Sequence, residues 1–401
     1  MKSKKSNIKT AYAVILIGCM LFCSNSFSQS VDRKLSPVFA DKILTLKRNT
    51  PLKFRVMLKG TVVPQQFIDH FSMEKIAGYD SGTFYYLKAT LDELNNNILP
   101  SPLVLFVDDG TRTPKEELQV NNLDLSTNKI NVVHSKYPQW NGDGLTVSIK
   151  ENKPDTSDID FAGRYVPTPL SSQIISQHAN NMATMVAGGG NSWYLGKGAS
   201  WAALISSSNF ANLLPDPASV LQLYNITVQN HSYGVAIENF YGADAAAYDA
   251  SMISNPSLMH IFSSGNSGTL TSTTGVYAGI TGFANLTASF KMAKNIITTG
   301  ATDSFGNVAP QSSKGPAHDG RIKPELVAFG IDGSSGAAAL VSGVSLMLQQ
   351  QFKKLNGSVP ANALVKAILL NSADDQGNKE VDYSTGFGSL NAIQAIRTVQ
   401  N

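Results

Sequence analysis

Cysteine is nearly absent from this sequence. The 401 residues contain two cysteines, Cys19 and Cys23, and both lie close to the N-terminus. The rest of the chain cannot form a disulfide, so we expect its stability to come from a hydrophobic core and from any ions that it binds. Hydrophobic residues make up 42% of the chain. This content and length are enough for a sizeable core and for two or three domains.

The sequence also lacks an excess of charge of either sign. Charged residues make up 15% of the chain, and the formal net charge is +3. Removing the N-terminal Lys2, Lys4, Lys5 and Lys9 reduces the 32 basic residues to 28, against 29 acidic ones. A near-neutral chain gives no charge-based reason to expect nucleic acid or a membrane surface as a partner. Beyond the N-terminus we find no apolar run long enough for a transmembrane helix.

Residues 1–28 have the pattern of a secretory signal peptide. A lysine-rich start precedes an apolar run over 11–23, and 26–28 (SFS) form a small-x-small cleavage site. We therefore expect a protein that is secreted, periplasmic or at the cell surface. Residues 16–19 (LIGC) also resemble a bacterial lipobox, which would instead make Cys19 a lipid-anchored N-terminus. The apolar run continues past that cysteine, which favours ordinary cleavage.

Residues 29–120 predict a small α+β domain followed by a linker. Strand-like and helical patterns alternate at 52–58, 64–71, 83–87, 91–96 and 103–107. This alternation is typical of ferredoxin-like folds. Residues 108–128 are polar and have no clear periodicity, which indicates the linker.

Residues 121–401 predict a larger α/β domain with a mainly parallel sheet and helices on both faces. Short buried strands are indicated at 145–149, 203–207, 226–230, 258–262 and 296–299. Helical patterns lie between them at 179–187 and 245–253. In such folds functional side chains collect at strand ends and in the loops that follow.

Residues 333–343 (GSSGAAALVSG) place a serine in a turn of small residues that runs into an apolar helix ending near Phe352. Small neighbours leave the Ser335 hydroxyl accessible. The start of the helix directs backbone N–H groups and the positive end of its dipole at an approaching oxygen. This arrangement suits an acyl-transfer nucleophile. Similar turns are also common for structural reasons alone, so the assignment depends on partners elsewhere.

A serine nucleophile needs a histidine as base, a carboxylate to orient that histidine, and donors for the developing oxyanion. His178 begins a segment of small residues, 178–188 (HANNMATMVAG), that predicts a helix. Asn266, in 263–268 (SSGNSG), directly follows a predicted strand and can donate its amide to an oxyanion. Taken singly, each has a simpler interpretation as a structural histidine or a turn. His231 is another candidate base, but a structural role explains it better.

In their order and spacing, these segments resemble the subtilisin-like serine proteases (subtilases, peptidase family S8). The Ser335 segment is similar to the family's GTSMAAPHVAG, and the His178 segment aligns without gaps on HGTHVAGTIAG. Further family motifs are resembled by 264–266 (SGN), 312–316 (SSKGP), 319–328 (DGRIKPELVA) and 386–392 (GFGSLNA). The resemblance covers about 129–397, with the chain order acid, histidine, serine.

The acid departs from the family pattern. Residues 147–155 (VSIKENKPD) align without gaps on VAVIDTGID and put Glu151 where the family has aspartate. Glutamate can orient an imidazole, as it does in some α/β-hydrolases, but its extra methylene requires the backbone or the histidine to shift. Asp155 and Asp158 are weaker alternatives to Glu151, since each would need a different strand end.

The resemblance implies that 29–120 form a pro-domain that assists folding and blocks the active site until it is cut away. It also implies that 232–234 (SYG) supply an extended edge for β-pairing with a substrate. Calcium is frequent in this family as a structural ion, although no acidic loop here has a recognisable ligand pattern. The sequence indicates no cofactor with certainty.

The predicted function is therefore a secreted serine endopeptidase. Ser335 would attack the peptide carbonyl, His178 would carry the proton, and Glu151 would orient His178. Asn266 and the backbone N–H of Ser335 would bind the oxyanion. The expected partners are protein or peptide substrates, with the pro-domain as intramolecular inhibitor. Two alternatives stay open: a catalytically impaired binding module (pseudo-protease), and an esterase or amidase that uses the same triad.

Overall fold

The computed structural model of this chain describes residues 34–60, 65–116 and 123–400. The predicted signal peptide and the alternative lipid site at Cys19 lie outside these residues. The chain divides into two compact units, one extending to Thr111 and the other beginning at Arg112. Within the described residues, no helix has the length and apolar character needed to cross a membrane.

The first unit is an α+β fold around a four-stranded antiparallel sheet with strand order β2-β3-β1-β4. Its strands are β1 (Leu52–Leu58), β2 (Glu74–Tyr79), β3 (Gly82–Ala89) and β4 (Val104–Asp109). Its helices are α1 (Pro37–Ile43), α2 (Gln65–His70) and α3 (Leu91–Glu93), the last continuing as a π-helical turn over Leu94–Ile98. The five predicted elements lie within two residues of observed ones.

Sequence reasoning did not find β2. This strand lies at an edge of the sheet, and none of its residues is fully buried. An edge strand without a buried face leaves no alternation of apolar and polar residues to detect. With β2 included, the order of elements from β1 to β4 is the β-α-β-β-α-β arrangement of ferredoxin-like folds.

The second unit contains a six-stranded parallel sheet with strand order β12-β11-β10-β8-β6-β7. A separate two-stranded antiparallel ladder joins β5 to β9. The strands are β5 (Lys115–Glu116), β6 (Thr146–Lys150), β7 (Leu204–Ser208), β8 (Ile226–His231), β9 (Tyr233–Gly234), β10 (Met259–Ser263), β11 (Ile297–Ala301) and β12 (Leu326–Ala328).

Seven helices belong to the described part of this unit. They are α4 (Ile130–Lys136), α5 (Gln177–Ala187), α6 (Ala218–Leu223), α7 (Ala243–Ser254), α8 (Ser334–Asn356), α9 (Asn362–Asn371) and α10 (Ala392–Gln400). Helix α8 packs against β8, β10, β11 and β12, and its first sixteen residues are all buried.

Side chains from one strand show that both faces of the sheet are covered. Asn230 of β8 accepts a hydrogen bond from Ser342 of α8 at 3.1 Å. The next residue, His231, bonds instead to His260, whose other ring nitrogen lies 3.1 Å from Ser251 of α7. Because successive side chains of a strand point to opposite faces, α8 and α7 cover opposite sides. The predicted α/β fold with helices on both faces is thus confirmed.

Candidate active site

Ser335 lies in the first turn of the long helix α8. The preceding Gly333 has a φ of +64°, and a Cβ there would lie 2.7 Å from the Asn266 side-chain oxygen. Glycine at this position therefore lets the turn approach Asn266 closely. The expectation that small neighbours leave the Ser335 hydroxyl accessible is wrong for this structure, because the hydroxyl is buried where the first turn of α8 packs into the core. It makes no hydrogen bond within the described structure. Its position at a helix N-terminus is the one predicted from the sequence.

His178 and Glu151 are brought together from two elements. His178 is the second residue of α5, where Ser176 caps the helix by accepting a hydrogen bond from the Ala179 N–H. Glu151 directly follows β6 and is fully buried. The distance between His178 Nδ1 and Glu151 Oε2 is 2.5 Å. The carboxylate that sequence alignment placed at the acid position thus contacts the histidine directly.

The pleat of β6 explains the direction of the Glu151 side chain. Lys150, one residue earlier, is also buried, and its Nζ lies 2.5 Å from Asp216 Oδ1. Alternate residues of a strand point to opposite faces, so Glu151 is directed to the face opposite the Lys150 ion pair. On that side it meets the start of α5.

Asp332 is a second carboxylate beside the same histidine, and sequence reasoning did not single it out. Its Oδ2 lies 3.6 Å from His178 Nε2. Asp332 immediately precedes Gly333 and has a φ of +90°, a left-handed conformation that is costly for a residue with a side chain. The only signal for Asp332 in the sequence is its position, three residues before the candidate nucleophile Ser335.

The structure does not form the hydrogen bond between Ser335 Oγ and His178 Nε2. The Asp332 contact nevertheless shows that this face of the imidazole is turned toward the segment that carries Ser335. Catalytic hydrogen bonds are often long or poorly aligned until substrate binds. The arrangement therefore has the elements of a triad in proximity, with one of its two hydrogen bonds made.

Asn266 lies against the start of α8. Its Oδ1 accepts hydrogen bonds from the Ser334 backbone N–H at 3.1 Å and from the Ser334 hydroxyl at 3.0 Å. The same hydroxyl accepts a hydrogen bond from the Gly265 N–H at 3.0 Å. These contacts fix the orientation of the amide, whose Nδ2 is the group able to donate to an oxyanion.

The alternative acids are engaged elsewhere. Asp155 accepts hydrogen bonds from the Ser157 hydroxyl at 2.7 Å and the Ser157 N–H at 2.9 Å, and these bonds lower the pKa of its exposed carboxyl. Asp158 accepts a hydrogen bond from Asn180 Nδ2 at 3.0 Å. Of the three candidates considered from the sequence, Glu151 is the one whose contact with His178 is observed.

His231 is a structural residue rather than a base. Its ring is fully buried and stacks on Phe262 with centroids 4.0 Å apart. Its Nε2 lies 3.0 Å from His260 Nδ1, and its Nδ1 lies 3.1 Å from the Tyr233 hydroxyl. Burial holds the pKa of His231 well below its usual range and lowers the pKa of His260 to about 3. Both rings are therefore neutral at ordinary pH.

The extended edge expected at 232–234 adjoins the candidate nucleophile. The Ser232 hydroxyl donates to the Ser335 carbonyl oxygen at 2.9 Å. The next two residues form β9, which pairs with β5 in antiparallel register, Lys115 opposite Gly234 and Glu116 opposite Tyr233. A strand of this chain itself therefore occupies the edge.

The described residues contain no cluster of three or more histidine, cysteine, aspartate or glutamate side chains arranged to hold a metal ion. Structural calcium therefore stays a prediction that depends on the family resemblance.

The fold and the site together define a subtilisin-like α/β protein. The Subtilase family (Peptidase S8) matches residues 102–388, and the chain belongs to this family. Membership in the Subtilase family supports the function of a serine protease.

Solved structures of similar fold have low sequence identity to this chain. Fervidolysin from Fervidobacterium pennivorans, a keratinolytic enzyme related to subtilisin, is 16% identical, with a TM-score of 0.62 over 88% of this chain and 62% of its own. The epidermin leader peptide processing serine protease EpiP from Staphylococcus aureus is 12% identical, with a TM-score of 0.59 over 88% of this chain and 99% of its own. At these identities the similarity establishes the fold alone.

A curated relative matches over a short segment. The serine protease/ABC transporter B family protein tagA of Dictyostelium discoideum is 29% identical over 129 residues, which is 22% of this chain and 7% of that protein. The match spans a small part of that relative's length.

Proposed function

We propose that this protein is a secreted serine endopeptidase in which Ser335 is the nucleophile, His178 the general base and Glu151 the acid of the triad. The observation that carries this assignment is the 2.5 Å contact between His178 Nδ1 and Glu151 Oε2. A fully buried carboxylate needs a compensating partner, and the imidazole supplies one. The other side of the ring faces the segment that bears Ser335.

In the proposed mechanism, Ser335 Oγ attacks the peptide carbonyl carbon while His178 Nε2 takes the hydroxyl proton. His178 then gives this proton to the leaving amine, and water repeats the sequence to release the acyl group. Glu151 holds the Nδ1–H tautomer and stabilises the imidazolium that forms in each step. The Asn266 amide and the Ser335 backbone N–H at the start of α8 donate to the oxyanion.

The N-terminal region acts, in this proposal, as an intramolecular inhibitor that is removed by cleavage. The pairing of β5 with β9 supports this role, because that edge adjoins Ser335 and accepts an extended backbone. A peptide substrate that binds by strand addition needs the same backbone donors and acceptors. While β5 remains in place, the substrate is excluded.

The first experiment compares the secreted full-length wild type with Ser335→Ala and Glu151→Gln, using a fluorophosphonate probe and unfolded casein. We expect labelling and cleavage to disappear in Ser335→Ala. In Glu151→Gln they should fall by about 10⁴-fold, the loss seen when the acid of a related triad is disabled. Full activity in Glu151→Gln would move the acid to another residue, such as Asp155. If the probe does not label a folded, processed wild type, the proposed protease function is refuted.

That last outcome would favour the second candidate, a catalytically impaired binding module. Two observations are consistent with such a module: Ser335 Oγ makes no hydrogen bond within the described structure, and Asp332 lies beside His178 Nε2. An esterase or amidase on the same triad would label with the probe but cleave ester substrates and leave peptides intact.

A further inference from the structure

Arg112, the first residue of the second unit, has its guanidinium buried between two carboxylates. Its Nη2 lies 2.7 Å from Glu238 Oε2, and its Nη1 lies 3.1 Å from Asp244 Oδ2. The Arg112 side chain is 9% exposed, and each carboxylate side chain is 2% exposed. Buried charges at this depth are stable only when they are paired.

Each carboxylate has a feature besides Arg112 that favours its negative charge at this place. Glu238 Oε2 also accepts a hydrogen bond from the Ser289 N–H at 2.7 Å. Asp244 lies in the first turn of α7, where the helix dipole favours a negative charge. Ser289 and α7 both belong to the second unit. We call Glu238 and Asp244 the acidic pair.

Arg112 lies just before β5, the segment that occupies the edge proposed for substrate pairing. Three residues after it, Lys115 pairs with Gly234 and Glu116 with Tyr233. Beyond Tyr233 the edge leads to Ser232, which contacts the backbone of Ser335. A peptide that replaced β5 on β9 in the same direction would carry a residue upstream of its paired segment to the acidic pair.

We infer that the acidic pair is a substrate subsite for a basic side chain, and that Arg112 fills it until the N-terminal region is removed. The preferred side chain is arginine, because two of its nitrogens contact two separate carboxylates, whereas lysine presents a single nitrogen. The substrate part of this inference depends on the proposed protease. The binding of a guanidinium does not.

Guanidinium binding is tested in the full-length Ser335→Ala chain, where cleavage is blocked. Arg112→Ala in this background vacates the acidic pair, and millimolar ethylguanidinium should raise its melting temperature saturably. Ethylurea, a neutral analogue, should have no such effect, and the parent chain that keeps Arg112 should not respond. Adding Asp244→Asn, or Glu238→Gln if that variant folds better, should abolish the response. A folded Arg112→Ala chain that ethylguanidinium does not stabilise, or that ethylurea stabilises equally, overturns the inference.

Substrate selection is tested with the processed wild-type product on peptides that carry either arginine or citrulline upstream of the cleaved bond. Citrulline has the shape of arginine without its charge, so kcat/KM should fall at least tenfold when arginine is replaced. Asp244→Asn should remove this discrimination. Equal kcat/KM for the two peptides in a probe-labelled enzyme would overturn the subsite. If the probe labels nothing and no peptide is cleaved, the proposed protease function is refuted. The melting-temperature experiment would then by itself decide whether the acidic pair binds a guanidinium.

Discussion

His178 lies between two carboxylates that differ in origin and in effect. Glu151, from the end of β6, lies at Nδ1 and can stabilise a charged ring without blocking the nucleophile. Asp332, from the turn before α8, lies 3.6 Å from Nε2, the nitrogen that receives the Ser335 proton in the proposed mechanism. An ionised carboxylate at that nitrogen favours the protonated ring, which cannot act as a base. The balance between these two carboxylates should therefore set the pH range of activity.

Replacing Asp332 with asparagine tests this balance. Loss of the carboxylate makes the protonated ring less favourable, so the acid limb of the kcat/KM profile should move to lower pH. The measurement is kcat/KM on one peptide across a pH series. Asp375→Asn, which removes an exposed carboxylate in a different loop, is the matched control and should leave the profile unchanged. A profile that Asp332→Asn does not shift would show that this carboxylate is not ionised beside the ring.

Shortening the acid tests whether the length of Glu151 matters. In Glu151→Asp the carboxylate withdraws by one methylene from a position 2.5 Å from His178 Nδ1. A displacement of about 1 Å can cost about 10²-fold in rate, and we expect a loss of that order in kcat. Active-site titration with a fluorophosphonate separates this loss from misfolding. Wild-type kcat in Glu151→Asp would mean that the ring follows the carboxylate without cost.

At the scale of elements, the site depends on how closely α8 approaches its neighbours. A Cβ at Gly336 would lie 2.0 Å from the Ile331 carbonyl oxygen, so the turn before the helix closes tightly on its first residues. Farther along, a Cβ at Gly343 would lie 2.6 Å from the Ala199 Cβ. The Gly343 carbonyl oxygen accepts a hydrogen bond from the Ser200 hydroxyl at 2.7 Å. Small residues in this helix thus permit the packing that positions Ser335.

Adding a methyl group at Gly343 should loosen that packing. We expect Gly343→Ala to lower the free energy of unfolding by about 1–3 kcal/mol, the usual cost of overfilling a tight contact. Chemical denaturation of the Ser335→Ala chain measures it without self-cleavage. Lys354→Ala, on the exposed end of the same helix, should stay within about 0.5 kcal/mol. A Gly343→Ala chain as stable as its parent would show that α8 can shift freely.

At the scale of the whole molecule, one face of the parallel sheet carries a row of buried polar side chains. Asp216 links Lys150 to Gln229, whose Nε2 lies 2.7 Å from Asp216 Oδ2. His231 and His260 continue this face as two neutral rings joined at 3.0 Å. Such a face is stable while its rings stay neutral, because a second positive charge beside Lys150 would be buried without compensation.

Acidification should therefore destabilise the second unit. The unfolded rings titrate near pH 6.5, whereas the folded-state pKa of His260 is about 3 and that of His231 is also lowered. The stability that the neutral rings contribute is complete above pH 6.5 and is lost as the pH falls toward the folded-state values. Each ring should contribute at most about 1.4 kcal/mol per pH unit to this loss of unfolding free energy.

Denaturation of the Ser335→Ala chain from pH 7 to pH 4.5, followed by tryptophan fluorescence, measures this loss. All three tryptophans, Trp140, Trp193 and Trp201, belong to the second unit. The slope of the unfolding free energy against pH reports how many protons are taken up on unfolding. We expect His260→Gln to reduce this number by about one. His70→Gln, which replaces an exposed histidine of the first unit, is the control. An unchanged slope in His260→Gln would mean that the buried rings do not govern acid stability.

The secondary structure was accessible from the sequence because most of it reflects local patterns. Buried parallel strands are short apolar runs, and the strands predicted in the second unit lie within two residues of those observed. The residues proposed for catalysis, Ser335, His178, Glu151 and Asn266, could be named because short motifs at fixed spacing carry them. The edge strand β2 was missed because it has no buried face to leave a pattern.

Two of the side-chain contacts described above were not predictable from the sequence and depend on the tertiary structure. Asp332 comes to His178 from another part of the chain, and Arg112 contacts Glu238 across a separation of 126 residues. The sequence by itself indicated the fold class, the main buried strands and the candidate triad, since these depend on local periodicity and motif spacing. The second carboxylate at the histidine and the acidic pair depend on where turns and helix ends converge in three dimensions, and one-dimensional patterns do not record that.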